Sequence, residues 1–312
     1  MKIYSQAQAR ANRLAIREAG KYPDTEDARC VDGMLFPRLQ PTFKMTKGDK
    51  MFTIGSCFAR NIEKKLINFN VPTLSYKPPI GDPLKVRGNT VMNEYNPGCI
   101  AQRIHHSIIG ALDPNICILP EGAGFSDFFI TGQNPTSLDI LLDRRQRIDR
   151  VYSEMATSDH LIITLGMTEA WYDREFKMYL NRQPSVESMK SNAIDSRFEM
   201  RVLGVQDCVD LLAPAFETAQ KAGVKNILLT VSPVPLQRSF SPVDAVIANN
   251  ASKSTLRAAA DILTNDIANV DYFPSYEMVT LFAGNPYVED NVHVKDEIVT
   301  RVTDYMIENY NS

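Results

Sequence analysis

Most of the chemistry available to this 312-residue chain sits in four histidines, five cysteines and a short run of small residues around Ser56. Ser56 stands in G-S-C-F-A (55–59), after the apolar run K-M-F-T-I-G (50–55). It opens a stretch in which Phe58, Ile62, Leu66 and Phe69 recur at helical spacing. A hydroxyl between a strand end and a helix start is exposed at a sheet edge, beside unpaired N–H groups and positive potential that would steady a developing oxyanion. Serine is also a favoured N-cap, so a structural role stands beside the nucleophilic one. Cys57 shares the helix start, but helical direction points it into the sheet and it ranks behind Ser56.

A serine nucleophile needs a base. His105 and His106 fall in a helical stretch and His160 opens a buried strand, positions that suit structural roles. His293 lies in D-N-V-H, three residues after Asp290, in the loop G-N-P-Y-V-E-D-N-V-H ahead of the last helix. An aspartate so placed can turn back onto the imidazole, fix its tautomer and stabilise the imidazolium formed on proton transfer. D-x-x-H is common by chance. Its weight comes from order: serine after the first sheet strand, aspartate and histidine after the last.

The elements that must position these residues follow from hydrophobic periodicity. Strands are expected at 50–55, 160–166 (H-L-I-I-T-L-G), 225–231 (K-N-I-L-L-T-V) and 269–273, and helices at 98–111, 137–157, 205–222 with Gly223 as C-cap, 251–268, and from about 295 towards 310. Apolar strands alternating with helices predict a three-layer α/β/α sandwich on a mostly parallel sheet. Reactive groups then gather at the carboxyl ends of the strands. Residues 1–49 read as an N-terminal helical arm packed on the core. Residues 50–312 read as one catalytic domain, with a proline-interrupted, loop-rich insertion at about 70–158 carrying Tyr76 and Tyr95. Such an insertion would cover the cleft and select the substrate.

Apolar residues are 44% and charged residues 23% of the chain, ordinary for a globular protein. Thirty-four Lys and Arg oppose 37 Asp and Glu, a net charge of -3 that excludes a broad basic field for nucleic acid. Charges in the N-terminal stretch, and the lack of any long apolar run, predict a cytoplasmic protein without a membrane span. The cysteines form no C-x-x-C and lack histidines at ligand spacing, so free thiols and no metal site are expected.

G-x-S-x-G is absent, and the order Ser, Asp, His resembles that of the SGNH (GDSL-like) hydrolases. More closely, G-S-C-F-A is the defining motif of the GSCFA family, which resembles that superfamily. G-N-T (88–90), L-G-M-T-E-A-W (165–171), T-V-S-P-V-P-L (230–236), S-K-S-T-L-R-A-A-A (252–260) and V-D-Y-F-P-S-Y-E-M-V (270–279) look like the same family, so the resemblance spans roughly residues 50–295. It implies Ser56 as nucleophile, His293 as base, Asp290 as its orienting carboxylate, and an oxyanion hole from the Ser56 N–H and Gly88, with Asn89 beside it. Thr168 stands where the superfamily commonly has asparagine, and losing one oxyanion donor costs about 100- to 1000-fold in rate.

Glu169 and Trp171 follow the same strand and should line the cleft, Trp171 either as packing or as a platform for a sugar or adenine ring. Ser232 and Pro233 should shape the loop above it. Ser252 or Ser254 reads as a helix cap, with Arg257 one turn on as an anion anchor. D-R-R-Q-R-I-D-R (143–150) reads as a solvated helix face. The function expected is acyl-ester chemistry through an acyl-enzyme: a carbohydrate esterase (deacetylase), or a sugar or polysaccharide O-acyltransferase. Hydrolysis needs no cofactor; a transferase would draw on acetyl-CoA as acyl donor. The alternatives are a non-catalytic carbohydrate- or nucleotide-binding module that keeps the cleft, and, more distantly, redox chemistry at Cys57.

Overall fold

The computed structural model describes residues 2–24, 26–66, 91–110, 112–131, 134–184 and 197–312. Tyr76, Gly88 and Asn89 lie outside them. In chain order the strands are β1 (Cys30–Val31), β2 (Met34–Leu35), β3 (Met51–Gly55), β4 (Ile118–Glu121), β5 (Gly124–Asp127), β6 (His160–Leu165), β7 (Glu169–Asp173), β8 (Met178–Leu180), β9 (Phe198–Val202), β10 (Asn226–Val231) and β11 (Val270–Phe273). The helices are α1 (Gln6–Ile16), α2 (Cys57–Lys65), α3 (Pro97–Ile109), α4 (Leu138–Ser153), α5 (Val205–Ala222), α6 (Ala245–Asp266) and α7 (Asp296–Tyr310).

The central sheet is parallel in the order β11-β10-β6-β3. Its strands are apolar at nearly every position because both faces are covered. Leu161, Ile163 and Leu165 of β6 pack with α3, α5 and α6, whereas Ile162 between them packs with α2 and α7. This is the expected three-layer sandwich, and the β3, β6, β10, β11, α3, α4, α5 and α7 segments fall where periodicity placed them. Gly223, at φ +117°, ends α5.

Four details differ. First, α6 begins six residues before the expected start, capped by Asp244, whose side chain accepts the Val246 N–H; Ser252 and Ser254 are inside the helix and cap nothing. The first turns, A-V-I-A-N-N (245–250), were passed over because Val, Ile and Asn are weak helix formers. Second, α1 has no buried residue, and the arm is held instead by Met34, Leu35 and Met45. Third, β7 is the middle strand of an antiparallel β8-β7-β9 sheet, whose strands are too short and polar to show a period. Fourth, D-R-R-Q-R-I-D-R is not a solvated face. Arg144 and Arg145 are buried, and Arg145 donates to both carboxylate oxygens of Asp127, at 2.9 and 2.5 Å, pinning the β4–β5 hairpin. The sequence signal missed was Asp127, distant along the chain.

Candidate active site

Each residue of G-S-C-F-A has a physical reason. Gly55 ends β3 at φ +136°, and a Cβ there would meet Thr164 O at 2.2 Å and Thr164 Oγ1 at 2.4 Å, so only glycine admits β6 this closely. Phe58 and Ala59 are fully buried and anchor α2. Ser56 occupies the N-cap position of α2, yet its side chain makes no capping bond. Its N–H donates to Thr164 Oγ1 at 3.1 Å, and the two hydroxyl oxygens are 3.3 Å apart. The hydroxyl is therefore not used by the helix, although the residue is only 3% exposed.

Cys57 has the protonated, less reactive thiol favoured by its surroundings. Burial raises its thiol pKa, and Lys253 nearby only partly opposes this. All five cysteines are free. Among the described residues no cluster of His, Cys, Asp and Glu could hold a metal ion.

His293 and Asp290 meet as their spacing suggests. Nδ1 lies 2.5 Å from Asp290 Oδ2, and the His293 N–H donates to Oδ1 at 2.9 Å. The bond to His293 is the main reason the Asp290 carboxyl pKa falls to about 2. The loop is moored at the carboxyl edge of the sheet: Tyr287 Oη donates to Pro233 O at 3.0 Å, and Val294 joins the apolar cluster containing Phe58. The imidazole itself is 64% exposed and makes no hydrogen bond to Ser56. It lines an open depression of about 430 Å³ with Val288 and Lys295.

Two of the other three histidines have hydrogen-bonded partners. His160 lies between Asp49 (2.9 Å) and Asn226 (3.1 Å), and His105 Nδ1 faces Thr218 Oγ1 at 3.2 Å. Burial, followed by the charge of Arg103, lowers His106 to about 4.

The loop after β6 runs directly past Ser56. Gly166 is so close that a Cβ there would lie 3.4 Å from Ser56 Cβ and 2.6 Å from Tyr95 O. The N–H groups of Gly166 and Met167 both donate to Tyr95 O, at 3.1 and 3.0 Å. Thr168 is buried, its N–H donating to Ser252 Oγ at 2.9 Å. Tyr95 is fixed in turn by Asn181, whose Oδ1 accepts its N–H at 3.2 Å and whose amide also bonds the buried Glu94 carboxylate. Thr164, Asn181 and Lys253 escaped the sequence reading, and Tyr95 was noticed only as a residue of the insertion over the cleft. Thr164 could have been noticed as a polar residue in an apolar strand, and Lys253 because Leu256, Ala260 and Leu263 share its helix face.

Glu169 is a fastening rather than a free carboxylate. It accepts from Ser239 Oγ (2.5 Å), Ser241 Oγ (2.8 Å) and the Phe240 N–H (2.8 Å), holding the 239–241 segment down. Phe240 then packs edge-on against Trp171, with ring centroids 5.4 Å apart. These rings, with Tyr95, Met167, Asn181 and Arg238, line a cavity of about 230 Å³. It shares no lining residue with the His293 depression, and Ser56 borders neither. Arg257 is engaged by Glu277 at 3.0 Å and stacks over Tyr272 at 4.1 Å. Ser232 is buried, and its Oγ accepts the Val234 N–H at 3.3 Å. A groove of about 1090 Å³ lies between the N-terminal arm and α7, and Ser56 does not line it.

A parallel sheet covered on both faces, with a serine at the first strand–helix corner, defines a three-layer α/β/α protein. The chain belongs to the GSCFA family, whose model matches residues 50–306. No curated protein matches it. Among solved structures it is similar to variants of Axe2, an acetyl-xylooligosaccharide esterase from Geobacillus stearothermophilus, at 11% identity and a TM-score of 0.35, covering 86% of this chain and 97% of that one. A further Axe2 variant, described as an acetylxylan esterase, aligns at 12% identity and a TM-score of 0.34, covering 86% and 96%. At these values the likeness does not extend to substrate. No helix among the described residues is long and apolar enough to cross a membrane.

Proposed function

We propose that the chain carries out serine-dependent acyl-ester chemistry at Ser56, as a carbohydrate esterase or a sugar O-acyltransferase. The observation that carries this reading is that Ser56 holds the N-cap position of α2 without capping it, leaving its hydroxyl for other work. Ser56 Oγ attacks the ester carbonyl while its proton passes to His293 Nε2, and the leaving alcohol takes that proton as the acyl-enzyme forms. Water then attacks: its proton goes to His293, the acid departs and Ser56 recovers its hydrogen. A sugar hydroxyl in place of water makes a transferase, for which acetyl-CoA is the donor and free CoA the leaving thiol.

The first-turn N–H groups of α2 and their positive potential favour the oxyanion. Asp290 supports the imidazolium. The Trp171–Phe240 cavity suits the face of a sugar ring. Proton transfer requires His293 Nε2 to come within hydrogen-bond reach of Ser56 Oγ.

A second reading is favoured by the exposed imidazole and the absence of a Ser56–His293 bond: a carbohydrate- or nucleotide-binding module that keeps the fold without turnover. Turnover of p-nitrophenyl acetate and of acetylated sugars, with and without acetyl-CoA, separates the two. Hydrolysis or transfer that disappears in Ser56→Ala supports the enzyme. Sugar binding without turnover supports the module.

A further inference from the structure

Lys253 is completely buried on the apolar side of α6, and no carboxylate pairs with it among the described residues. Its Nζ donates to Gly166 O at 2.6 Å and to Val234 O at 2.7 Å. We propose that Lys253 is a positioning residue for the Ser56 site, tying the loop after β6 to the loop after β10 and favouring negative charge that develops at the Ser56–Cys57 corner. The proposal rests on the reading of Ser56 as nucleophile.

The brace is placed where both halves of the site converge. The Gly166–Met167 peptide packs beside Ser56, its N–H donating to Tyr95 O and its own carbonyl accepting from Lys253. One helical position earlier, Ser252 fixes the Thr168 N–H. On the other side, Val234 follows Pro233, whose carbonyl moors the His293 loop through Tyr287. One ammonium therefore sets the backbone beside the nucleophile and beside the anchor of its base.

Its charge is the part a packing role would not need. A neutral amine still has two N–H donors for two carbonyls, so the brace survives deprotonation while the charge does not. Cys57 of α2 is the titratable group whose charge acts on it. The 166–168 and 232–236 segments contain no titratable side chain. On α6 the next charged residue, Arg257, is engaged by Glu277. Burial lowers the Lys253 pKa to about 7, with Cys57 opposing.

The test is the rate at which a fluorophosphonate labels Ser56 between pH about 5.5 and about 9, in wild type, Lys253→Met and Ser252→Ala. Wild type should show a limb that falls as pH rises through about 7. Lys253→Met should lose that limb and react about tenfold more slowly at the acid end. Ser252→Ala, which loosens Thr168 but keeps the charge, should retain it. A folded Lys253→Met with the wild-type profile overturns the proposal. If that variant does not fold, a wild-type profile without the falling limb overturns it. Absence of any label at Ser56 in wild type overturns the nucleophile reading as well, so the two failures are distinguishable.

Discussion

Thr164 Oγ1 accepts the Ser56 N–H at 3.1 Å and lies 3.3 Å from Ser56 Oγ, across the parallel pair of β3 and β6. The strand beside the nucleophile, not its own helix, fixes the serine. Thr164→Val keeps the shape and removes this partner, leaving the buried Ser56 N–H only its longer 3.4 Å bond to Thr164 O. It should cost about 1–3 kcal/mol in urea unfolding and slow the labelling of Ser56. Unchanged stability and reactivity would show that the contact does not hold the serine.

Gly55 is needed for the same contact. Gly55→Ala places a methyl 2.2 Å from Thr164 O at a backbone angle of +136°, so β3 and β6 must separate. A loss of about 1–3 kcal/mol or more is expected from overpacking and strain, read as a lower urea midpoint.

Glu169→Gln weakens three hydrogen bonds to the 239–241 segment and loosens Phe240 over Trp171. The expected result is a raised KM for a sugar ester with little change in Ser56 labelling by a small fluorophosphonate. A change confined to labelling would place Glu169 in the chemistry instead.

Asp290→Asn removes the charged partner of the His293 imidazole. Because the pair is exposed, melting temperature should hardly move, while kcat on p-nitrophenyl acetate falls by up to about 10⁴-fold if the aspartate sets the tautomer.

Stability should depend on pH through Lys253. Its folded pKa, about 7, lies below the ordinary 10.5, so between these values the unfolded chain binds more protons and stability rises with pH. Below about 7 the burial penalty applies in full. Urea unfolding across this window should give a flatter pH dependence for Lys253→Met than for wild type.

The sandwich was legible because β3, β6 and β10 are continuous apolar runs and α5 and α7 carry clear stripes. The Asp290–His293 pair was legible because an i, i+3 turn is local. Thr164, Lys253 and Asn181 were not, because each acts through partners 19 to 108 residues away, which no window along the chain contains. Glu169 was placed correctly at the strand end, but its role depends on serines 70 and 72 residues later. The α6 start was missed because local propensity there opposes what tertiary packing imposes.

The central claim is that the Ser56 hydroxyl forms the covalent intermediate. Incubation of the folded protein with a fluorophosphonate, followed by peptide mapping, tests it directly. The account predicts one adduct, on the peptide containing Ser56, absent in Ser56→Ala and strongly slowed in His293→Ala. An unlabelled Ser56 in protein that still turns over an acyl ester would contradict it.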